Sequence, residues 1–362
     1  MQNKTGRDDA KSVWIGGDHP IVVQTMTTTD TGDADATLAQ IYGLAMEGAE
    51  VVRVTVKDAP DAAAMPAIVS RSPVPIVADI HFDHRMALAA IEAGVAKLRL
   101  NPGNIRDYNK TKEVVEAAKA RGIPIRIGVN MGSLAPDLEK TLGHTPEAMV
   151  ESAMRHVEIL EGLAHTDIVI SLKAHDVATT VASYRLMDRR LRERDTPYAL
   201  HLGITEAGLL RDGTIKSAVG LGILLFEGIG DTIRISLAAD PIEEVPACWS
   251  LLKSLGLREK GFEITACPSC GRAEISVLEL GESVEAIAKE YTAPVKVAVM
   301  GCVVNGPGES KMADVGVAGG KGKGAIYRAG ELVGTYPEDQ LLAALRVEIE
   351  KVIREKYPEH AV

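Results

Sequence analysis

From residue 21 to residue 237 the chain repeats one pattern: a short run dense in Val, Ile and Leu, then an Ala-rich stretch whose apolar positions recur at helical spacing. The short runs, at 21–27, 50–56, 75–80, 96–101, 124–130, 167–173, 198–205 and 231–237, are predicted to be strands. The stretches between them are predicted to be helices; YNKTKEVVEAAKARG is one, closed by Gly122. Strand and helix in strict alternation is the pattern of a parallel sheet. Eight such units in about 240 residues fit a closed (β/α)8 TIM barrel, although an open doubly wound sheet uses the same alternation.

The alternation stops near Glu263. Beyond that residue the chain reads as a short strand, a cysteine turn, a helix near 283–291, a second strand ending at Cys302, a Gly-rich region and a final amphipathic helix. The polar segment GLREKGFE marks the boundary, giving a barrel domain over 1–257 and a smaller α+β domain over 258–362. The run AGGKGKGA at 318–325 lacks the Gly, Lys and Ser/Thr register of a phosphate loop and reads as a flexible hairpin.

Within the strands a second period carries chemistry. Side chains alternate faces along a strand, so VVRVTV sets Val52, Val54 and Val56 against Arg53 and Thr55. KLRLN sets Leu98 and Leu100 against Arg99 and Asn101, and PIRIGVN sets Ile125, Ile127 and Val129 against Arg126 and Asn130. VISLK and TIRIS repeat the pattern, with Ser171 and Lys173 on the polar face of one and Arg234 and Ser236 on that of the other. In a barrel the apolar face meets the helices, so the polar face lines the interior. Four arginines and a lysine then converge, and burying them without counter-charge costs several kcal/mol each. Either barrel carboxylates such as Asp79 and Glu206 pair with them, or a multiply charged anion does. Arginine's planar fork suits phosphate oxygens, and a diphosphate is the preferred ligand. Asp79 and His81 in ADIHFDH, with His201 and Glu206 in LHLGITEAG, fall near strand ends where barrel enzymes place proton-transfer groups.

Composition narrows the partners. Of 362 residues, 46% are hydrophobic and 25% charged, which fits a packed globular chain. A net charge of -10, from 40 Lys+Arg against 50 Asp+Glu, has the wrong sign for gripping nucleic acid or an anionic membrane. No apolar run approaches the roughly 20 residues of a membrane span, and the polar start MQNKTGRDDAKSV is unlike a secretory leader, so a cytoplasmic location is expected. Aromatics at 4% argue against a flavin or base held between stacked rings.

In such a chain the 4 cysteines point to thiol chemistry or metal ligation rather than disulfides. CPSCGR places Cys267 and Cys270 in one turn, and MGCVVNGPGE supplies Cys302 and Glu309. Cys248, in the apolar segment PACWSLL, reads as a buried structural residue. Three thiolates leave the common all-cysteine sets one ligand short, and Glu309 is the candidate for the fourth. A carboxylate would leave its iron harder and more exchangeable, open to a substrate oxygen. Zinc held by three Cys and a carboxylate fits the same residues. The spacing of the radical-generating cluster loop is absent. A metal-independent barrel enzyme of the pterin synthase or aldolase type, or an electron carrier, also remains open on residue types alone.

Taken together, ADIHFD, KLRLNPGN, IRIGVN, SLKA, HLGITEAG and GIGDTIRIS, with CPSCGR and MGCVVNGPGE, resemble the 4-hydroxy-3-methylbut-2-enyl diphosphate synthase family of the methylerythritol phosphate route to isoprenoids, in its short bacterial form. The resemblance covers essentially the whole chain. It implies reductive ring opening and dehydroxylation of 2-C-methyl-D-erythritol 2,4-cyclodiphosphate to the allylic diphosphate. Two electrons would enter through a [4Fe-4S] cluster held by Cys267, Cys270, Cys302 and Glu309. Arg53, Arg99, Arg126, Asn130, Lys173 and Ser236 would bind the diphosphate, and Glu206, with His201 beside it, would transfer a proton. Flavodoxin or ferredoxin would be the reductant. A homodimer is implied, with the barrel of one subunit and the cluster domain of the other forming the site.

Overall fold

Each run expected to be a strand becomes one, and the eight close on themselves. The computed structural model describes residues 3–5, 12–81, 83–100 and 107–360. An antiparallel pair, β1 (Asn3–Thr5) with β2 (Val13–Ile15), comes first; strands this short show no period in sequence and were not expected. The barrel comprises β3 (Val22–Met26), β4 (Val51–Thr55), β5 (Ile76–Ile80), β6 (Lys97–Leu100), β7 (Ile125–Asn130), β8 (Ile168–Lys173), β9 (Ala199–Leu202) and β10 (Thr232–Ile233). All neighbours are parallel, and β10 pairs with both β9 and β3, which closes the ring and excludes the open sheet. Asn101, expected at the end of the fourth run, lies outside the described residues.

The helices that wrap this ring are α1 (Ala34–Glu47), α2 (Ala59–Arg71), α3 (His84–Ala93), α4 (Tyr108–Ala120), α5 (Pro136–Leu142), α6 (Pro146–Gly162), α7 (Val177–Glu193), α8 (Leu210–Phe226) and α9 (Glu244–Ser254). Five begin on an aspartate whose carboxylate accepts a first-turn N–H: Asp33, Asp58, Asp83, Asp107 and Asp176. Each such cap is worth about 1 kcal/mol and fixes where the chain leaves the strand-end loop. The outward strand residues are buried against these helices; Val52, Val54, Val56, Leu98, Ile125, Ile127, Ile170 and Ile233 all belong to the main core. At the N-terminal ends of the strands, Val22, Val51, Val77, Val169 and Ala199 pack with Ile15 of β2 into a separate apolar cluster that floors the barrel. No helix among the described residues is long and apolar enough to cross a membrane.

Contacts divide the chain into two compact units, Met1–Arg258 and Glu259–Val362. The second contains β11 (Glu263–Ala266), α10 (Val277–Ala288), β12 (Lys296–Met300), α11 (Gly306–Met312), β13 (Val315–Gly320), β14 (Lys323–Arg328), β15 (Glu331–Pro337) and α12 (Leu341–Lys356). Its sheet runs β11-β12-β13-β14-β15, parallel across the first three and antiparallel across the rest. Helix α10 starts at Val277 rather than near 283, because Val277, Val284 and Ile287 are buried on one face and outweigh the poor helix formers Gly281 and Ser283. The Gly-rich run forms the β13–β14 hairpin, with Gly322 at φ 64° in its turn. Strand β15 was not expected.

A cationic barrel cavity and a cysteine turn

The alternation read from the sequence holds around the barrel, and it produces a cavity. About 200 Å³ in volume, it is lined by Arg53, Arg99, Arg126, Asn130, Ser171, Lys173, Arg234 and Ser236 together with Asp79, His81, Met26, Gly128 and Thr205. Every side chain expected to bind a diphosphate is among them. Arg53, Arg99 and Lys173 stand on β4, β6 and β8, and Arg126 and Asn130 share β7, so the ladder hydrogen bonds of the barrel place these five, while Ser236 follows the end of β10.

Counter-charge in this cavity is scarce. Asp79 takes a hydrogen bond from Arg99 Nη1 at 3.0 Å and an ion pair from Arg53 Nε at 3.5 Å. Burial would raise its carboxyl, but Arg53 and then Arg99 outweigh that and hold it well below the carboxylate range. Arg234 instead faces Glu244, at 3.2 Å. Arg126 has no such partner among the described residues: its side chain is 1% exposed, and Nε and Nη1 have no hydrogen bond. Burial first, then Arg53 and Arg99, push its guanidinium well below its ordinary value. Burial likewise lowers Lys173, with Arg234 and Arg126 adding to it, and lowers Arg53 to about 10 despite Asp79. Five cations against two carboxylates leave a surplus that a bound anion would offset.

Of the four groups read as candidates for proton transfer, Asp79 and His81 line the cavity, whereas His201 and Glu206 are not part of its lining. His201 points inward from β9 but is fully buried and does not line the cavity; its Nδ1 lies 3.4 Å from Thr232 Oγ1 and its Nε2 has no partner among the described residues. Burial, then Arg126 and Lys173, hold the imidazole neutral, well below its usual range. Glu206 is exposed on the loop after β9, in a left-handed conformation at φ 53° that a glutamate adopts only at a cost. No hydrogen bond joins the two, so the expectation of His201 beside Glu206 is corrected. The period that turned His201 inward sets it deeper than the cavity, whereas Glu206 lies beyond the end of the strand.

Several site residues escaped the sequence reading. Met26 Sδ accepts from Arg53 Nη2 at 2.9 Å and lies 3.5 Å from Arg234 Nη1. Glu244, at the start of α9, takes hydrogen bonds from Thr25 Oγ1 at 2.8 Å and the Leu237 N–H at 3.0 Å as well as from Arg234. Nothing local in the sequence links that carboxylate to a strand so far upstream. Lys97 and Gln24 are fully buried and inward-facing, and their side-chain nitrogens have no partner among the described residues. Counting back two residues from Arg99 would have found Lys97.

In the second unit, β11 and β12 are adjacent parallel strands, and the cysteines sit just past their C-terminal ends. Cys267 Sγ accepts from the Gly301 N–H at 3.2 Å. A Cβ on Gly301 would lie 2.7 Å from Val277 Cγ2 and 3.4 Å from Cys267 Sγ, so only glycine lets the segment before Cys302 pass this close. Ser269, left-handed at φ 54°, turns the chain toward Cys270, which is exposed, and the Arg272 N–H followed by its side chain lowers that thiol. Glu309 is half-buried in the first turn of α11, after a turn in which the Gly306 N–H reaches the Cys302 carbonyl at 3.2 Å. Among the described residues no three His, Cys, Asp or Glu side chains converge tightly enough for a single metal ion. A polynuclear cluster, whose irons each take one protein ligand, suits a wider set of three thiols and a carboxylate. Cys248 is buried in α9, its thiol pushed up to about 12 by burial, in keeping with a structural role.

Comparison with known proteins matches both units. A family model described as the GcpE TIM-barrel domain covers residues 7–249, and one described as the GcpE protein C-terminal domain covers 263–351. A protein of Geobacter sulfurreducens named 4-hydroxy-3-methylbut-2-en-1-yl diphosphate synthase (flavodoxin) is 53% identical over 99% of this chain and 100% of its own length. Proteins of the same name from Lawsonia intracellularis, 52% identical over 98% of each chain, and Geobacillus thermodenitrificans, 49% identical over 98% of this chain and 94% of that one, also match.

Proposed function

The chain belongs to the GcpE family, and from that premise we propose that it is a 4-hydroxy-3-methylbut-2-en-1-yl diphosphate synthase of non-mevalonate isoprenoid synthesis. It takes 2-C-methyl-D-erythritol 2,4-cyclodiphosphate, two electrons and two protons to the allylic diphosphate and water. One ring C–O bond breaks and one hydroxyl leaves. The observation that carries this reading is the convergence of five cations on a cavity that holds one carboxylate of its own, Asp79.

Arg53, Arg99, Arg126 and Lys173 bind the diphosphate oxygens, Asn130 and Ser236 add neutral donors, and Asp79 keeps two of the guanidinium groups in register. The cavity is already charged and shaped before substrate arrives, so little reorganisation accompanies binding. Glu206, exposed on the loop after β9 next to the cavity-lining Thr205, supplies a proton to the departing hydroxyl. His201, sealed below and neutral, takes no part in that step. Cys267, Cys270, Cys302 and Glu309 hold a [4Fe-4S] cluster, which when bound supplies electrons singly to the reaction. Flavodoxin is the reductant, with ferredoxin as the alternative, and the enzyme works in the cytoplasm.

The cluster unit of one subunit serves the barrel of the other in a homodimer. Helix α8 supports the association: it buries Ser217, Leu221 and Leu224 on one side and leaves Ile215, Val219, Ile223 and Phe226 exposed in a stripe on the other.

Anaerobic turnover of the cyclodiphosphate with a low-potential reductant, on protein of measured iron content, tests the reaction; an iron-free active enzyme would overturn it. Arg126→Ala tests the anion site. Deleting a buried cation that has no carboxylate partner of its own among the described residues should raise the melting temperature of the ligand-free protein, while KM rises by about 30- to 150-fold, the equivalent of roughly 2–3 kcal/mol. An unchanged KM would remove Arg126 from the site.

A further inference from the structure

Two inward positions of the barrel wall, one on β7 and one just past β9, carry no side chain, and both face a cation of the cavity. Gly128 is the inward residue of β7 that comes after Arg126, and Arg99 on neighbouring β6 lies across it, donating from Nη2 to the Gly128 carbonyl at 3.1 Å. A Cβ built on Gly128 would overlap Arg99 Nε and sit 3.1 Å from Nη2 and 3.2 Å from Cζ. Gly203, just past β9, stands in the same relation to Lys173 on β8. A Cβ there would overlap Lys173 Nζ and lie 2.8 Å from its Cε and 2.9 Å from the Arg234 carbonyl oxygen. In both cases a long cationic side chain from one strand lies flat over a glycine on the next strand round the barrel.

We infer that Gly128 and Gly203 are positioning residues for the anion site: each is a seat that holds a cationic side chain against the barrel wall, with its charged end turned to a ligand in the cavity. The physical argument is one of space and charge together. Arg99, Arg126, Lys173 and Arg53 repel one another, and as free rotors they would separate toward solvent at the open end. Arg99 is fixed at one end by Asp79 and at its middle by the Gly128 seat, while Lys173, 7% exposed and without a carboxylate partner among the described residues, is fixed by its seat alone. Any Cβ at either glycine would lift the side chain off the wall and into the space the ligand occupies. A glycine within a strand ordinarily weakens it, so Gly128 inside β7 fits a requirement of the site.

This inference rests on the diphosphate reading, and the test separates the two. The probe is inorganic pyrophosphate, read as the rise in melting temperature of the whole chain, with KM and kcat for the cyclodiphosphate measured on the iron-loaded enzyme. Gly128→Ala is the main variant, because the three atoms nearest its new methyl all belong to the Arg99 side chain. Gly220→Ala in α8 is the control, because its methyl would come 2.7 Å from Ile204 Cδ1 and costs packing without touching a cation. Pyrophosphate is expected to stabilise the unmodified chain and Gly220→Ala by equal increments, and Gly128→Ala by less than about half as much. KM should rise about tenfold in Gly128→Ala with kcat changed much less. Gly203→Ala, if it folds, should behave likewise through Lys173. If pyrophosphate stabilises the unmodified chain and Gly128→Ala equally, or KM stays put, the seats are overturned while the anion site stands. If it stabilises neither, the anion site fails and the seats fail with it.

Discussion

The barrel and the cysteine unit solve the problem of holding charged or reactive groups in opposite ways. In the barrel, Arg99, Arg126 and Lys173 stand on strands, buried, at positions fixed by the hydrogen bonds of a closed sheet. In the second unit, Cys267, Cys270 and Cys302 stand on turns, and Cys270 is exposed. The barrel therefore maintains its geometry at a cost, keeping mutually repelling cations in place before any ligand comes. The cysteine turns hold no such set of mutually repelling charges, and turns of this kind can take their final form around a bound group. Rigid placement suits recognition of a fixed anion; adaptable turns suit ligands that close on an inorganic centre.

The contrast can be broken most sharply from the cysteine side. Cys302→Ser should remove iron and reduce turnover by more than about 1000-fold, yet leave pyrophosphate stabilisation of the barrel intact. Loss of that stabilisation together with iron would show that the two regions do not act separately. Glu309→Ala is a finer cut. With three thiolates remaining, much of the iron should stay while turnover falls by about 100-fold; normal turnover would remove Glu309 from the reaction.

The smallest expected effect concerns what the barrel gives up in stability. Lys97 is fully buried without a partner among the described residues, and burial, with Arg126 beside it, lowers its ammonium from 10.5 to about 7. It faces Arg126 from β7, His201 from β9 and, one layer up, Arg99 and Asp79. Between about pH 7 and 10.5 the unfolded chain binds a proton here that the folded chain does not, so this group makes stability rise with pH by up to about 1.4 kcal/mol per unit. Lys97→Met should then be more stable than the unmodified protein at pH 7, with the advantage shrinking toward pH 10. Chemical denaturation at a series of pH values reads this directly, and a pH-independent difference would show that Lys97 is not the source.

Much of this was legible in the residues because two periods coincide along each strand run. Arg53, Arg99, Arg126, Lys173 and Arg234 could be assigned to the interior because each sits between apolar neighbours, and the rule needs only the identity of residues one step away. Glu244 could not be found that way, since it reaches Arg234 and Thr25 from the start of a helix. Glu206 and His201 looked adjacent in LHLGITEAG, but a strand end separates them and one turns into the barrel while the other faces solvent. The start of α10 is set by burial of Val277, Val284 and Ile287 rather than by local composition, and β15, largely exposed, is a strand through its pairing with β14, which no local pattern announces.

The apolar cluster of Val22, Val51, Val77, Val169, Ala199 and Ile15 that floors the barrel makes the cavity a cul-de-sac. Whatever enters must leave by the door it came through, so the spent molecule has to clear before its successor can be seated. In the proposed reaction the product keeps the pyrophosphoryl group of the reactant, so it should compete directly with it, and the pace of many turnovers would be set by departure.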